Sequence, residues 1–174
     1  MTVVLFTGGG GAGSEALARL LPYECHFADA DACARPAGVA SERWHTIPRA
    51  DDPVLDFPVS VMSVAGGLRA NLIVPGVDEE LSPIAGLRDK WRLGKSVLLP
   101  PTSFVAAHLD KLASYELLRD AEIPVPRTEL VGDGKGRIGL PFPCILKPRR
   151  GRGSRDVVVV ESDVQIICHI WLSA

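Results

Sequence analysis

Apolar runs separated by helical stretches dominate the first hundred residues of the chain. Residues 2–7, TVVLFT, form an uncharged run of the kind that fills the buried strands of parallel sheets. Further strands are predicted at residues 24–28, 44–47, 71–75 and 96–99. Because helical stretches lie between these runs, the pattern predicts an α/β fold built on a small parallel sheet over residues 1–101.

The helical stretches of this half have recognisable beginnings. Residues 14–21 place alanine and leucine at helical spacing, and Ser14 is the predicted N-cap. A second helix is expected within residues 59–65, after Pro58 and before a pair of glycines. The acidic residues 78–80 follow the predicted strand at 71–75. They could line a cleft at the strand end, but an acidic first turn of the next helix is favoured, and no catalytic role is assigned to them.

A different pattern begins at residue 102 and predicts a second domain over residues 102–174. Asp110 is the predicted N-cap of an amphipathic helix, and prolines then keep residues 123–126 extended. Two β-rich runs follow, at residues 143–147 and 157–160. The segment between them is short and rich in glycine and arginine, so it is predicted to be a loop joining two strands.

Composition and charge exclude several classes of function. The 174 residues carry a net charge of -2, and the basic residues cluster densely only at 149–155. That cluster contains no aromatic residue for base stacking, so nucleic acid is not an expected partner. The four cysteines form no CxxC pair and the four histidines are scattered, which indicates no metal site. Without a signal-type start or a membrane-length apolar run, a cytoplasmic protein is expected.

The glycine turn, residues 8–13, has three interpretations. Gly8, Gly10 and Gly13 match the GxGxxG dinucleotide fingerprint, and Asp29 stands near the position of a ribose-binding acid. Four consecutive glycines also satisfy such a pattern by chance. About half of the weight goes to a packing role, about a third to a phosphate or substrate loop, and the rest to a bound dinucleotide.

The glycine–arginine loop, residues 151–155, is the strongest candidate for chemistry. Glycine lets backbone N–H groups approach phosphate oxygens closely, and arginine and lysine supply the opposite charge. The loop consists of Gly151, Arg152, Gly153, Ser154 and Arg155, and Lys147 ends the strand before it. We interpret it as a flap over the phosphates of a nucleotide.

These segments together resemble the ATP-grasp superfamily. The sequences DK at 110–111, IPVPRT at 123–128, FPCILKP at 142–148 and GRGS at 151–154 occur in the order of that superfamily, closest to its carbamoyl-phosphate-synthase-like branch. The resemblance reaches about Asp163. It implies that residues 1–101 are a Rossmann-like domain preceding the ATP-grasp fold, and that residues 102–174 are the N-terminal lobe of an ATP-grasp domain.

The resemblance also implies roles for particular residues. Lys147 and Lys111 match two lysines that contact ATP, and Gly151 to Arg155 match the mobile loop that closes over the triphosphate. The implied reaction joins a small-molecule carboxylate to an amine or a similar nucleophile through an acyl phosphate. No catalytic residue is assigned. Asp156 departs from the small residue usual after this loop, and a carboxylate there needs Arg155 or Mg²⁺ to neutralise it.

The resemblance implies a second lobe that carries the Mg²⁺ ligands, and no such ligand is expected in this chain. The domain is therefore expected to be truncated at Ala174, so that adenine nucleotide binds weakly or not at all unless a complementing lobe or a homo-oligomer completes it. Two alternatives remain open: an NAD(P)-dependent oxidoreductase that uses the glycine turn, and a non-catalytic remnant that binds a nucleotide or a protein partner.

Overall fold

The structure is a computed structural model that describes residues 1–91, 96–132, 138–151 and 153–173. The chain divides into two compact units, Met1–Val105 and Ala106–Ala174. The predicted boundary between the two domains lies a few residues before this division. Within the described ranges, no helix is both long enough and apolar enough to span a bilayer.

A four-stranded parallel sheet forms the centre of the first unit. Its strands are β1 Val3–Thr7, β2 Glu24–Asp29, β3 Trp44–Thr46 and β4 Leu72–Val74, in the order β3-β2-β1-β4. The predicted parallel sheet is confirmed. The expected strand at residues 96–99 is reduced to one parallel bridge between Val97 and Ile73.

Helices cover both faces of this sheet, because strands that are apolar throughout must be buried on both sides. The helices are α1 Ala12–Leu20, α2 Phe57–Leu68 and α3 Asp78–Trp91, and two short 3₁₀ helices span Ala32–Ala34 and Ser41–Arg43. Leu5 packs with Val61 and Ile84 on one face, and Phe6 stacks on Phe27 on the other.

Two predicted helix starts were wrong, each for a local reason. Helix α1 begins at Ala12 with Gly11 as its N-cap, so Ser14 lies inside the helix, buried. Pro58 does not interrupt α2, because it occupies the first turn, where a missing backbone N–H costs nothing. Asp56 caps that helix instead, and the helix continues past the two glycines to Leu68. The acidic first turn predicted for α3 is confirmed.

The described residues of the second unit form a two-stranded antiparallel sheet and two complete helices. Its elements are α5 Lys111–Asp120, β5 Cys144–Leu146, β6 Val158–Val160 and α6 Asp163–Ser173, while α4 Thr102–His108 spans the division between the units in sequence. Ile145 pairs with Val159 across the sheet. Val160 and Ile166 are buried, whereas Ile145 and Val159 are 65% and 66% exposed. One face of this sheet is therefore covered and the other is open.

Candidate functional site

A cavity of about 500 Å³ lies within the second unit. Lys111, at the start of α5, and Lys147, directly after β5, both line it. Most of the remaining wall is apolar and includes Leu112, Leu146 and Ile166. A mainly apolar cavity with a few convergent charged groups is the usual form of a small-molecule site.

Lys111 owes its position to the cap of α5. Asp110 is the N-cap, as predicted, and its carboxylate accepts hydrogen bonds from the backbone N–H groups of Leu112 and Ala113. The Lys111 ammonium donates to the carbonyl oxygen of Gly151 at 2.7 Å. In this structure a backbone carbonyl oxygen of the glycine–arginine loop therefore binds Lys111.

An ion pair joins the cap of α5 to the residues before the loop. Arg149 Nε lies 2.8 and 2.7 Å from the two carboxylate oxygens of Asp110, which is only 4% exposed. The hydrogen bonds from Arg149 are the main cause that lowers the pKa of Asp110 to about 2, and the bonds from the helix amides add to it. The sequence pointed to Arg149 only as one of several basic residues of the cluster.

The loop itself has a strongly turned backbone. Gly151 and Gly153 have φ angles of +115° and +66°, and Ser154 and Asp156 have φ angles of 56° and 55°. The left-handed region is costly for residues other than glycine, so these values describe a tightly turned loop. Arg155 and Asp156 are exposed. Arg152, which the sequence also assigned to the site, lies outside the described residues.

The glycine turn has a different character, because three of its backbone N–H groups already have protein acceptors. The N–H groups of Gly9, Gly10 and Gly11 donate to Ala28 O, Asp29 Oδ2 and Gly8 O, at 2.9, 2.9 and 3.1 Å. A phosphate bound by these amides would have to displace those acceptors.

Close packing explains two of the glycines and leaves the third open. A Cβ atom on Gly8 would lie 2.9 Å from Val77 Cγ1, and one on Gly10 would lie 2.6 Å from Ala34 Cβ. Gly13 has no atom within 4 Å of such a Cβ. The contacts of Gly8 and Gly10 favour the packing role that received half of the weight in the sequence interpretation.

Asp29, the acid suited to a ribose in the dinucleotide interpretation, is also engaged. One of its carboxylate oxygens accepts from Gly10 N–H, and the other accepts from Asp31 N–H at 3.1 Å. These bonds close the turn on itself. The geometry therefore favours a structural role for Asp29 over ribose recognition.

Glu80 is a buried acid that the sequence analysis did not single out. It is 6% exposed, and its Oε2 accepts a hydrogen bond from Thr7 Oγ1 at 2.5 Å. Burial is the main cause that raises its pKa to about 7. The hydrogen bonds from Thr7 and from the amides of Gly76 and Gly8 act in the opposite direction and lower the pKa. The sequence spacing could have indicated that Glu80 is buried, because the apolar Ile84, four residues later, lies on the same side of α3 and is buried as well.

Comparison with known proteins follows the same lines as the geometry. No protein-family model matches the chain. A carbamoyl-phosphate synthase of Methanobrevibacter smithii is 24% identical over 124 residues, which cover 62% of this chain and 34% of that protein. The chain thus spans about a third of the length of this curated relative.

Solved structures share the fold over nearly the whole chain. The N5-carboxyaminoimidazole ribonucleotide synthetase of Thermotoga maritima matches 95% of it with a TM-score of 0.67 at 18% identity. The L-amino acid ligase of Bacillus licheniformis matches 99% with a TM-score of 0.69 at 13% identity. In each case this chain covers 42% of the other. The pyruvate carboxylase of Rhizobium etli matches 95% with a TM-score of 0.61 at 21% identity, and 16% of it is covered.

All four proteins belong to the ATP-grasp superfamily, which confirms the resemblance drawn from the sequence motifs. The fold class predicted from that resemblance, an α/β parallel sheet followed by part of an ATP-grasp fold, is confirmed as well.

Proposed function

From the premise that the chain has a partial ATP-grasp fold, we propose that its second unit binds the triphosphate of ATP in the cavity lined by Lys111 and Lys147. The observation that carries the proposal is this shared cavity. Two lysines that are distant in the sequence converge on it from different elements. Such convergence is what a polyanionic ligand requires of its site.

Lys147 is the better placed of the two for a phosphate. It is exposed at the end of β5, and among the described residues its side chain has no hydrogen-bond or ion-pair partner. An ammonium group in that position can meet a phosphate oxygen without breaking an existing bond. Lys111 must first exchange Gly151 O for the phosphate, so its contact forms together with a movement of the loop.

The apolar part of the cavity suits the base of the nucleotide. Ile145 and Leu146 belong to the wall, beside Lys147. A flat aromatic base removes such side chains from water, while the lysines meet the charged end of the same ligand. The exposed face that Ile145 and Val159 present is open to the base and to a second lobe. We therefore retain a complementing lobe, or a second copy of the chain, as the proposed partner.

The reaction of the whole protein is proposed to be the ATP-dependent ligation of a small-molecule carboxylate. The carboxylate attacks the γ-phosphorus of ATP, which forms an acyl phosphate and releases ADP. An amine or similar nucleophile then attacks the acyl carbon and displaces phosphate. The residues of this chain neutralise phosphate charge and exclude water as the loop closes. Among the described residues no cluster of acids or histidines could hold a metal, and the proposal places the Mg²⁺ ligands in the complementing lobe.

Isothermal titration with MgATP tests the proposal. We expect weak binding to the wild type, with a dissociation constant above the micromolar range, and a further loss of about ten- to hundredfold in Lys147→Met, because a charge-assisted contact is removed. The control is Lys90→Met, which removes an exposed lysine from α3 in the other unit. Equal affinity of wild type and Lys147→Met contradicts the site. Binding of NAD in place of ATP contradicts the function and supports the oxidoreductase alternative.

A further inference from the structure

Two consecutive residues, Asp110 and Lys111, contact three consecutive residues that lead into the glycine–arginine loop: Arg149, Arg150 and Gly151. Arg149 Nε binds both carboxylate oxygens of Asp110, and Arg150 Nη2 lies 3.9 Å from one of them. The backbone N–H of Lys111 donates to Arg149 O at 3.0 Å, and its ammonium donates to Gly151 O at 2.7 Å. These contacts connect segments about forty residues apart in the sequence.

Only part of this arrangement is needed to cap the helix. An N-cap must satisfy the free amides of the first turn, and Asp110 does so with Leu112 and Ala113. An asparagine would do this equally well, since both rank among the best N-caps. The negative charge has a separate consequence. It draws in the guanidinium of Arg149, and so holds the backbone on which the loop begins.

We propose that Asp110 is a positioning residue, which fixes the start of the glycine–arginine loop and directs Lys111 toward the cavity. This inference rests on the proposed function for its consequence in nucleotide binding. Its structural half, the restraint of the loop, stands without a nucleotide. Asp110 does not line the cavity, so it acts through Arg149 and Lys111.

The low pKa of Asp110 supports this role. Its carboxylate stays ionised throughout the working range of pH, so the restraint is permanent at neutral pH. Closure of the loop over a ligand must then occur beyond Arg149, in the segment whose backbone turns at Gly151, Gly153 and Ser154.

Two substitutions at Asp110 separate the charge from the cap. Asp110→Asn keeps a good cap and removes the charge, whereas Asp110→Glu keeps the charge and makes a poorer cap. If the charge positions the loop, Asp110→Glu resembles the wild type more closely than Asp110→Asn does. If capping is the whole role, the order is reversed. Asp56→Asn is the matched control, because Asp56 caps α2 in the other unit.

The first readout is limited trypsin digestion without nucleotide, with cleavage within residues 149–156 quantified by mass spectrometry. We expect Asp110→Asn to be cleaved about five- to tenfold faster than the wild type, which is the effect of losing one charge-assisted contact at a partly exposed site. Asp110→Glu should fall between the two, and Asp56→Asn should match the wild type. If Asp110→Asn is cleaved at the same rate as the wild type, the inference is overturned.

The second readout is MgATP affinity by titration, in which the same order is expected. If the cleavage order holds while the wild type binds no MgATP, the proposed function fails and the restraint of the loop stands. If the wild type binds MgATP, and Asp110→Asn has the same affinity and the same cleavage rate as the wild type, the inference about Asp110 fails while the proposed function stands. Should Asp110→Asn not fold, Arg149→Gln removes the same ion pair from its exposed side. The same two measurements then decide, with trypsin cleavage counted only after Arg150, Arg152 and Arg155 in both proteins.

Discussion

The buried carboxyl of Glu80 gives the most quantitative prediction about the first unit. Its pKa is about 7, against an ordinary value of 4.5. Between these two values the folded protein holds a proton that the unfolded chain has released. The free energy of unfolding therefore falls as pH rises from 4.5 to about 7, and it falls no further once both states are ionised. The difference between the two pKa values corresponds to about 3 kcal/mol in the free energy of unfolding.

Glu80→Gln should remove this dependence. A glutamine resembles the protonated acid, because its amide group can donate to Thr7 Oγ1 while its carbonyl oxygen accepts from the amide of Gly8 or Gly76. The variant should match the wild type near pH 4.5. At pH 8 it should be more stable by up to about 3 kcal/mol, since it does not bury a charge.

Urea unfolding at each pH measures the difference. Tryptophan fluorescence in a Trp171→Phe background leaves Trp44 and Trp91 as reporters of the first unit. Asp78→Asn is the control, because it removes an exposed acid from the same first turn of α3. If Glu80→Gln and the wild type differ by the same amount at pH 4.5 and at pH 8, the reasoning about Glu80 is refuted.

Two further predictions use the same unfolding assay. Gly10→Ala should lose about 1–3 kcal/mol, because its Cβ would lie 2.6 Å from Ala34 Cβ, whereas Gly13→Ala, inside α1 with open space around it, should gain up to about 1 kcal/mol. Equal effects would exclude the packing explanation of the glycine turn. Burial and the neighbouring His26 lower the pKa of His45, so the wild type should lose stability as pH falls below 6.5, and His45→Gln should lose less. An identical acid loss in both proteins would show that His45 is not responsible.

The elements that could be predicted from the sequence are those fixed by local chemistry. The uncharged run at residues 2–7 became β1, because such a run is stable only where both faces are covered. Asp110 was predicted as a cap because its side chain needs only the amides two and three residues on. The same residue's ion pair with Arg149 was not predicted, because nothing local relates positions so far apart in the chain.

The errors have similar causes. The second helix was expected to begin after Pro58, although the first turn of a helix tolerates proline. The glycine turn matches the GxGxxG motif because of its many glycines. The acceptors of its amides could not be predicted, because some of them, such as Ala28 and Asp29, belong to the neighbouring strand β2. Glu80 was read only as part of an acidic first turn, because its burial depends on how α3 packs. Lys111 and Lys147 were connected by family resemblance, and the shared cavity now supplies a physical reason to test them together.

The central claim is that nucleotide binds in the second unit and not at the glycine turn. Hydrogen–deuterium exchange with and without saturating MgATP tests it most directly, because it reports where backbone amides become protected. The account predicts slower exchange within residues 149–157 and at the start of α5, with no change over residues 8–13. Protection of residues 8–13 together with Asp29, while the glycine–arginine loop exchanges as before, would contradict it.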